Sequence, residues 1–420
     1  MNEKSFWYTK IYCIIKVVLG MYEVEVKRLD HQGRGIGYID NKITFIKNAL
    51  PNEVVVCKLI HETKKYNVAE VVEYKKQSSK RIEPFCPYFE FCGGCDLQHL
   101  SYEDTLQFKK EKVKNILAKE KIDFPEIVVI ENPSPKNYRN KLSLKIENGK
   151  LGFYEEKSHH LIEIESCPIA KESINFCLQK LKILNIKNGN VIIRSNYNNE
   201  ILLIIETAEK IDINIENRKD LKIVGIVFNG KTIYGQNFFY ERINHMLFKV
   251  SFDAFFQVNS FVTEKMFELV EENITKINVV LDLYSGVGTL GLIASKNASK
   301  VYSIEIIKNA VLDNLENIKL NQRENIFPML GDVFKVLPKI KDTFDTILID
   351  PPRKGLDKKS LNLILDSNAS KIIYISCNPM TLSRDLKELT NRYKIKKFYI
   401  LDMFSYTHHI ESMVILEKII

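Results

Sequence analysis

Cys377 follows the run Ile372-Ile373-Tyr374-Ile375-Ser376 and precedes Asn378-Pro379. The run reads as a buried strand of a parallel sheet, and Asn-Pro forces a turn directly after it. A side chain at the carboxyl end of such a strand faces the crevice where open α/β sheets bind ligands. Thiolate is the strongest nucleophile a side chain supplies near neutral pH, so a cysteine there suits covalent catalysis. The alternative is a small buried hydrophobe. The neighbouring motifs decide between the two. Asp350-Pro351-Pro352-Arg353-Lys354-Gly355 follows the strand-like Thr346-Ile347-Leu348-Ile349. Two prolines extend neither a helix nor a ladder, so Asp350 is expected at the sheet rim. Glu411 closes the polar and aromatic stretch from Asp402 to Ile410 and is a candidate general base. His408 and His409 raise a metal question, but adjacent strand residues point to opposite faces.

A second constellation lies upstream. Val279-Val280-Leu281-Asp282-Leu283 reads as a strand, Tyr284-Ser285-Gly286-Val287-Gly288-Thr289 as a small-residue loop, and Leu290-Gly291-Leu292-Ile293-Ala294 as the start of a helix. A further strand, Val301-Tyr302-Ser303-Ile304, ends in Glu305. Strand, glycine turn, helix, strand and acid form the layout for a nucleotide-like ligand. Gly286 lets the backbone approach the ligand, and Glu305 can accept from both ribose hydroxyls. The third glycine of the dinucleotide pattern is missing from its place. Asp282 before the loop would repel a pyrophosphate but can pair with a cationic ligand. Acids on both sides of the loop suit S-adenosylmethionine, whose amine and sulfonium are positive. Asp332, after the next strand, adds a contact to the adenine amine.

The chain carries eight cysteines. Cys86, Cys92 and Cys95 share one loop containing Gly93-Gly94, and Cys167 stands apart before Pro168. A lysine-rich chain without a persuasive secretion signal argues against structural disulfides. Four thiolates suit a 4Fe–4S cluster or tetrahedral zinc. Three ligands from one loop and one distant ligand favour the cluster over the paired hooks usual for zinc. Unligated thiols are the third reading.

These motifs together resemble the S-adenosylmethionine-dependent RNA uracil-5-methyltransferases. The resemblance rests on Asp282-Leu-Tyr-Ser-Gly-Val-Gly-Thr, Asp350-Pro-Pro-Arg-Lys-Gly, Ser376-Cys377-Asn-Pro-x-Thr-x-x-Arg-Asp, the His409-Ile-Glu ending and Phe255-Phe256-Gln257-Val258-Asn259. It covers nearly the whole chain. It implies Cys377 as nucleophile, Glu411 as base and Asp350 as the group holding the uracil edge. It implies a cofactor pocket lined by Gln257, Tyr284, Glu305 and Asp332, and a 4Fe–4S cluster on the four cysteines as in some members. The substrate it implies is RNA, 23S ribosomal RNA first and transfer RNA as the alternative. One departure stands out: Ser405 occupies a place where the family carries proline. A looser turn before Glu411 is therefore expected.

The supporting elements follow from patterning. Residues 21–79 alternate as short strands with glycine turns, which predicts a small β-barrel. By resemblance this is a TRAM domain, an OB-like RNA-binding module. Residues 80–250 carry the cysteines and β-rich runs such as Ile201-Leu202-Leu203-Ile204-Ile205. From 251 to 420 strands alternate with helices, which predicts a Rossmann-like α/β methyltransferase domain. Residues 1–20 read as an extension that is disordered or non-native, with Met21 as a real or alternative start. No run of 18 apolar residues occurs, so no membrane helix is expected and the cytoplasm is the expected compartment. Net charge is +8, which suits a polyanionic partner, though 53 acidic residues dilute it. Nothing in the sequence demands a protein partner, and a monomer is expected.

Overall fold

The structure is a computed structural model describing residues 20–155, 158–181, 186–209, 220–275 and 279–419. The expectations for residues 1–19, including an alternative start, lie outside the described residues. The chain forms two compact units. The smaller comprises the described residues up to Thr105 with Tyr406–His408, and the larger comprises Leu106–Ser405 and His409–Ile420.

The smaller unit contains a six-stranded sheet. Its strands run, across the sheet, as Met21–Glu25, Val54–Glu62, Tyr66–Lys76, Lys42–Lys47, Gly35–Ile39 and Arg28–Leu29. Val24, Ile46, Val55 and Ala69 fill its core. Burial alternates along Lys42–Lys47 and the first half of Tyr66–Lys76, which puts one face of those strands inward.

The larger unit holds three sheets. One has seven strands between Lys141 and Gly235, and a hairpin follows, Phe238–Ile243 with Met246–Ser251. The outer edge of that hairpin meets side chains of the helix Lys308–Leu320 and of its C-cap, Asn321. Asp313 accepts from the Ser251 amide at 2.8 Å. Asn317 brackets Lys249 at 2.6 and 3.1 Å. Asn321 brackets Leu247 at 3.1 and 2.7 Å.

The third sheet carries the motifs. Its eight strands run Ile326–Leu330, Lys300–Glu305, Val279–Leu283, Thr346–Ile349, Lys371–Ser376, Glu411–Lys418, Tyr393–Leu401 and Ile127–Ile130. The first five are parallel. The sixth and seventh run antiparallel to their predecessors. The central strands are buried on both faces, with Leu281, Ile347, Leu348, Ile373 and Tyr374 fully enclosed, which is why their sequence is continuously apolar. The chain order reverses beside Val279–Leu283, the topological switch point where such sheets open a crevice. Among the described residues, no helix is long and apolar enough to cross a membrane.

Candidate active site

Four motif residues collect at one edge of this sheet because their strands end there. Tyr284, Glu305, Asp350 and Cys377 lie at or just past the carboxyl ends of parallel strands. Glu411 reaches the same edge from the opposite direction. Ser376 pairs with Ser412 in antiparallel register, so Cys377, one residue on, and Glu411, one residue back, are cross-strand neighbours.

Asn-Pro acts as a helix start rather than a free turn. Asn378 caps the helix Pro379–Leu389, its side chain accepting from the Met380 amide, and Pro379 takes the first turn where its missing N–H costs nothing. That helix grips the loop after Asp350-Pro351-Pro352. Asn378 Nδ2 and Thr381 Oγ1 donate to the Arg353 carbonyl at 3.0 and 3.2 Å. Arg384 Nη2 donates to the carbonyls of Lys354 and Leu356 at 3.2 and 2.9 Å. Asp385 accepts from the Leu356 amide at 2.9 Å and from the Tyr374 hydroxyl at 2.6 Å. Sequence motif and loop are thus one rigid body around Cys377.

The electrostatics are those of a nucleophile held in reserve. Burial pushes the Cys377 thiol up to about 11, Glu411 and Asp350 add to the rise, and the positive charge of Arg353 opposes it. Glu411 is 3% exposed. Burial, then repulsion from Asp350, holds its carboxyl well above the usual range, with Arg353 opposing. Burial pushes Asp350 up to about 7. Two acids in one dry site cannot both ionise cheaply. Arg353 bears on both the thiol and the base, a role its place in the motif did not reveal.

The upstream loop also forms a pocket. Gly286 has φ 55°, and a Cβ there would meet nothing within 4 Å, so its face is open. Glu305 accepts from the amides of Gly286 at 2.9 Å and Ile307 at 2.8 Å, which fixes its carboxylate at the strand end. Tyr284 sits at φ 61°, and burial raises its hydroxyl. Asp332 is exposed and caps a short helix through the Phe334 amide at 3.0 Å. Ile306, Leu330 and Phe334 lie exposed near these acids in sequence, at 59%, 51% and 42%. Gln257 is partly buried, and its carbonyl accepts from Asn140 Nδ2 at 3.1 Å. Asp282 is the exception among the sequence candidates. It is fully buried behind the loop, and its Oδ2 accepts from the Gly291 amide at 2.9 Å. A Cβ on Gly291 would lie 2.8 Å from that oxygen. Asp282 therefore braces the loop from within rather than facing a ligand.

The turn before Glu411 corrects a second expectation. Ser405 does not loosen it. Ser405 is fully buried, donates to Asp402 Oδ2 at 2.6 Å and accepts from Asn132 Nδ2 at 2.9 Å. Among the described residues, no group of three or more His, Cys, Asp or Glu side chains is placed to hold a metal ion. Cys86, Cys92 and Cys95 belong to the smaller unit and Cys167 to the larger. His408 is engaged otherwise, with Nδ1 2.7 Å from Asp96 Oδ2.

An α/β sheet with a glycine loop, an acid after the next strand and a cysteine at the switch-point edge defines a methyltransferase-type site. The comparisons agree. The family described as tRNA (Uracil-5-)-methyltransferase matches residues 334–419, and the TRAM domain matches residues 20–72. An uncharacterized RNA methyltransferase of Listeria monocytogenes is 34% identical over 94% of this chain and 97% of its own. One of Clostridium acetobutylicum is 33% identical over 95% and 97%. The crystal structure of the Pyrococcus abyssi tRNA (uracil-54, C5)-methyltransferase with S-adenosyl-L-homocysteine superposes with TM-score 0.79 at 24% identity, covering 94% of this chain and 100% of that one. The chain belongs to the S-adenosylmethionine-dependent RNA uracil-5-methyltransferase family and carries its TRAM domain.

Proposed function

We propose that this enzyme methylates carbon 5 of a specific uridine in RNA through a covalent adduct on Cys377, with 23S ribosomal RNA as the substrate and transfer RNA as the alternative. The observation that carries this reading is the pairing of Cys377 with Glu411 across adjacent strands, with Asp350 and Arg353 acting on both.

Uracil carbon 5 is a poor nucleophile and needs activation. Cys377 loses its proton to solvent as Arg353 stabilises the thiolate, and its sulfur bonds carbon 6. The displaced electron pair makes the ring an enolate, and carbon 5 gains the power to attack a methyl group. Bound S-adenosylmethionine supplies that methyl from its sulfonium. Gly286, Glu305, Tyr284, Asp332 and Gln257 hold it, with Asp282 bracing the loop. Asp350 hydrogen-bonds the uracil edge. Glu411 then takes the carbon 5 proton. The freed pair restores the ring double bond and expels the sulfur. Burial raises the proton affinity of Glu411, which suits a base acting on a carbon acid. The TRAM domain supplies RNA contact, and a uridine in folded RNA must leave its stack to reach the thiol.

An iron–sulfur cluster on Cys86, Cys92, Cys95 and Cys167 belongs to the same reading as a structural group. It rests on the donor chemistry alone, and no step runs through it.

The test supplies the protein with methyl donor and 5-fluorouridine-containing RNA, whose carbon 5 bears no removable proton. A protein–RNA conjugate that survives denaturation is expected, and none with Cys377→Ala. Normal turnover by C377A overturns the mechanism. Mapping 5-methyluridine in ribosomal and transfer RNA of a deletion strain decides the substrate.

A further inference from the structure

The connection from Leu401 to Glu411 is fixed by buried polar atoms. Lys109 and Asp402 form an ion pair at 2.6 Å, their side chains 1% and 0% exposed. Lys109 also donates to the Phe404 carbonyl at 2.8 Å. The Asp402 amide donates to the Ile130 carbonyl at 2.9 Å. Asp402 Oδ2 takes the Ser405 hydroxyl, and that hydroxyl takes the Asn132 amide. The Tyr138 hydroxyl lies 3.4 Å from the Ser405 carbonyl. Residues from a helix, a strand end and an irregular segment thus converge on Asp402–Ser405 within the larger unit.

The location gives this network a consequence. Leu401 pairs with Glu411 as the last rung of the antiparallel ladder. The turn that begins at Asp402 therefore sets the register in which Glu411 enters the sheet. Side chains alternate between faces along a strand, so a slip of one residue turns Glu411 away and offers Ile410 or Ser412 instead.

We propose that Lys109, Asp402, Ser405 and Asn132 are positioning residues for Glu411: they lock the turn that presents the base to the carbon 5 proton. Ser405 does by hydrogen bonding what a proline ring would do by fixing φ. The inference rests on the mechanism proposed above, in which Glu411 acts after methyl transfer. A misplaced base leaves adduct formation intact and slows release.

Ser405→Ala removes the hydroxyl and both of its bonds, Asn132→Ala removes only the bond it receives, and both spare the ion pair. Each variant is assayed at steady state on uridine RNA with radiolabelled methyl donor, alongside thermal melts and binding of the donor. Turnover is expected to fall about ten-fold, less than the roughly 10²–10⁴-fold a positioned base supplies, because the base is displaced rather than removed. The fraction of protein trapped as methylated conjugate is expected to rise, with unchanged affinity for the donor. A lower melting temperature with a wild-type conjugate fraction makes the network merely structural and overturns the proposal. So does wild-type turnover in both variants. Absence of any conjugate from the wild-type protein on 5-fluorouridine RNA sinks the mechanism and this inference with it, whereas wild-type conjugate beside unaffected variants sinks this inference alone.

Discussion

Replacing Glu411 with Gln keeps the volume and removes one acid from the buried pair. Two effects follow, and they have opposite signs. The first is on catalysis. A positioned carboxylate base contributes roughly 10²–10⁴-fold, equivalent to about 2.7–5.5 kcal/mol of barrier. The loss falls on release, so methyl transfer proceeds and the methylated conjugate accumulates on uridine RNA. The thiol loses a negative neighbour that raises it, so conjugate formation is not slowed. The second effect is on stability. Asp350 is pushed from 3.8 to about 7, and Glu411 is likewise held well above the usual carboxylate range. A carboxyl whose folded value is raised contributes stability below its unfolded value, and that contribution is lost as pH rises through the folded value. The wild-type protein should therefore weaken as pH rises from about 4 through about 7. In E411Q one raised carboxyl, with the stability it forfeits at high pH, is gone, while burial keeps Asp350 raised. The variant should be more stable than wild type by roughly 1–3 kcal/mol at pH 8, with little difference at pH 4. Denaturing gels with labelled donor measure the conjugate, and melts across pH measure the stability. A variant that releases 5-methyluridine at the wild-type rate, or whose melts track wild type at every pH, refutes the reasoning.

Arg353→Met should raise the Cys377 thiol further and slow conjugate formation by about ten-fold at pH 7, with partial recovery at pH 9; stopped-time gels on 5-fluorouridine RNA read this, and an unchanged rate removes Arg353 from the site. Gly288→Ala should destabilise by about 1–3 kcal/mol and weaken donor binding. The residue sits at φ 86°, and its added Cβ would lie 2.0 Å from Asn314 Oδ1. Calorimetric titration with S-adenosylhomocysteine beside a thermal melt checks both.

The parallel strands were legible because burial on both faces writes itself as unbroken apolar runs, such as Thr346–Ile349 and Lys371–Ser376. Cys377, Asp350, Glu305 and Tyr284 were legible because each follows such a run directly. What stayed hidden depended on distance along the chain. Lys109 meets Asp402 across 293 positions, and no local pattern announces that pairing. The bond from the Gly291 amide to Asp282 stayed hidden for a related reason. The acid's position before the glycine loop is visible in sequence, but whether its side chain points outward or back under Gly291 is decided by how the helix packs. Ser405 was read as a weakened proline because the compensating Asn132 and Asp402 contacts are tertiary.

The three amide and carboxylate side chains that meet Met246–Ser251, two from the helix Lys308–Leu320 and one from its C-cap Asn321, make the helix a surrogate strand. Four helical residues advance about 6.0 Å, and two strand residues about 6.8 Å. The mismatch grows by about 0.8 Å per rung, so only a few rungs can be satisfied before the two repeats fall out of step. Within that span the hairpin's outer rim offers no vacant ladder to another chain, which blunts edge-to-edge self-association.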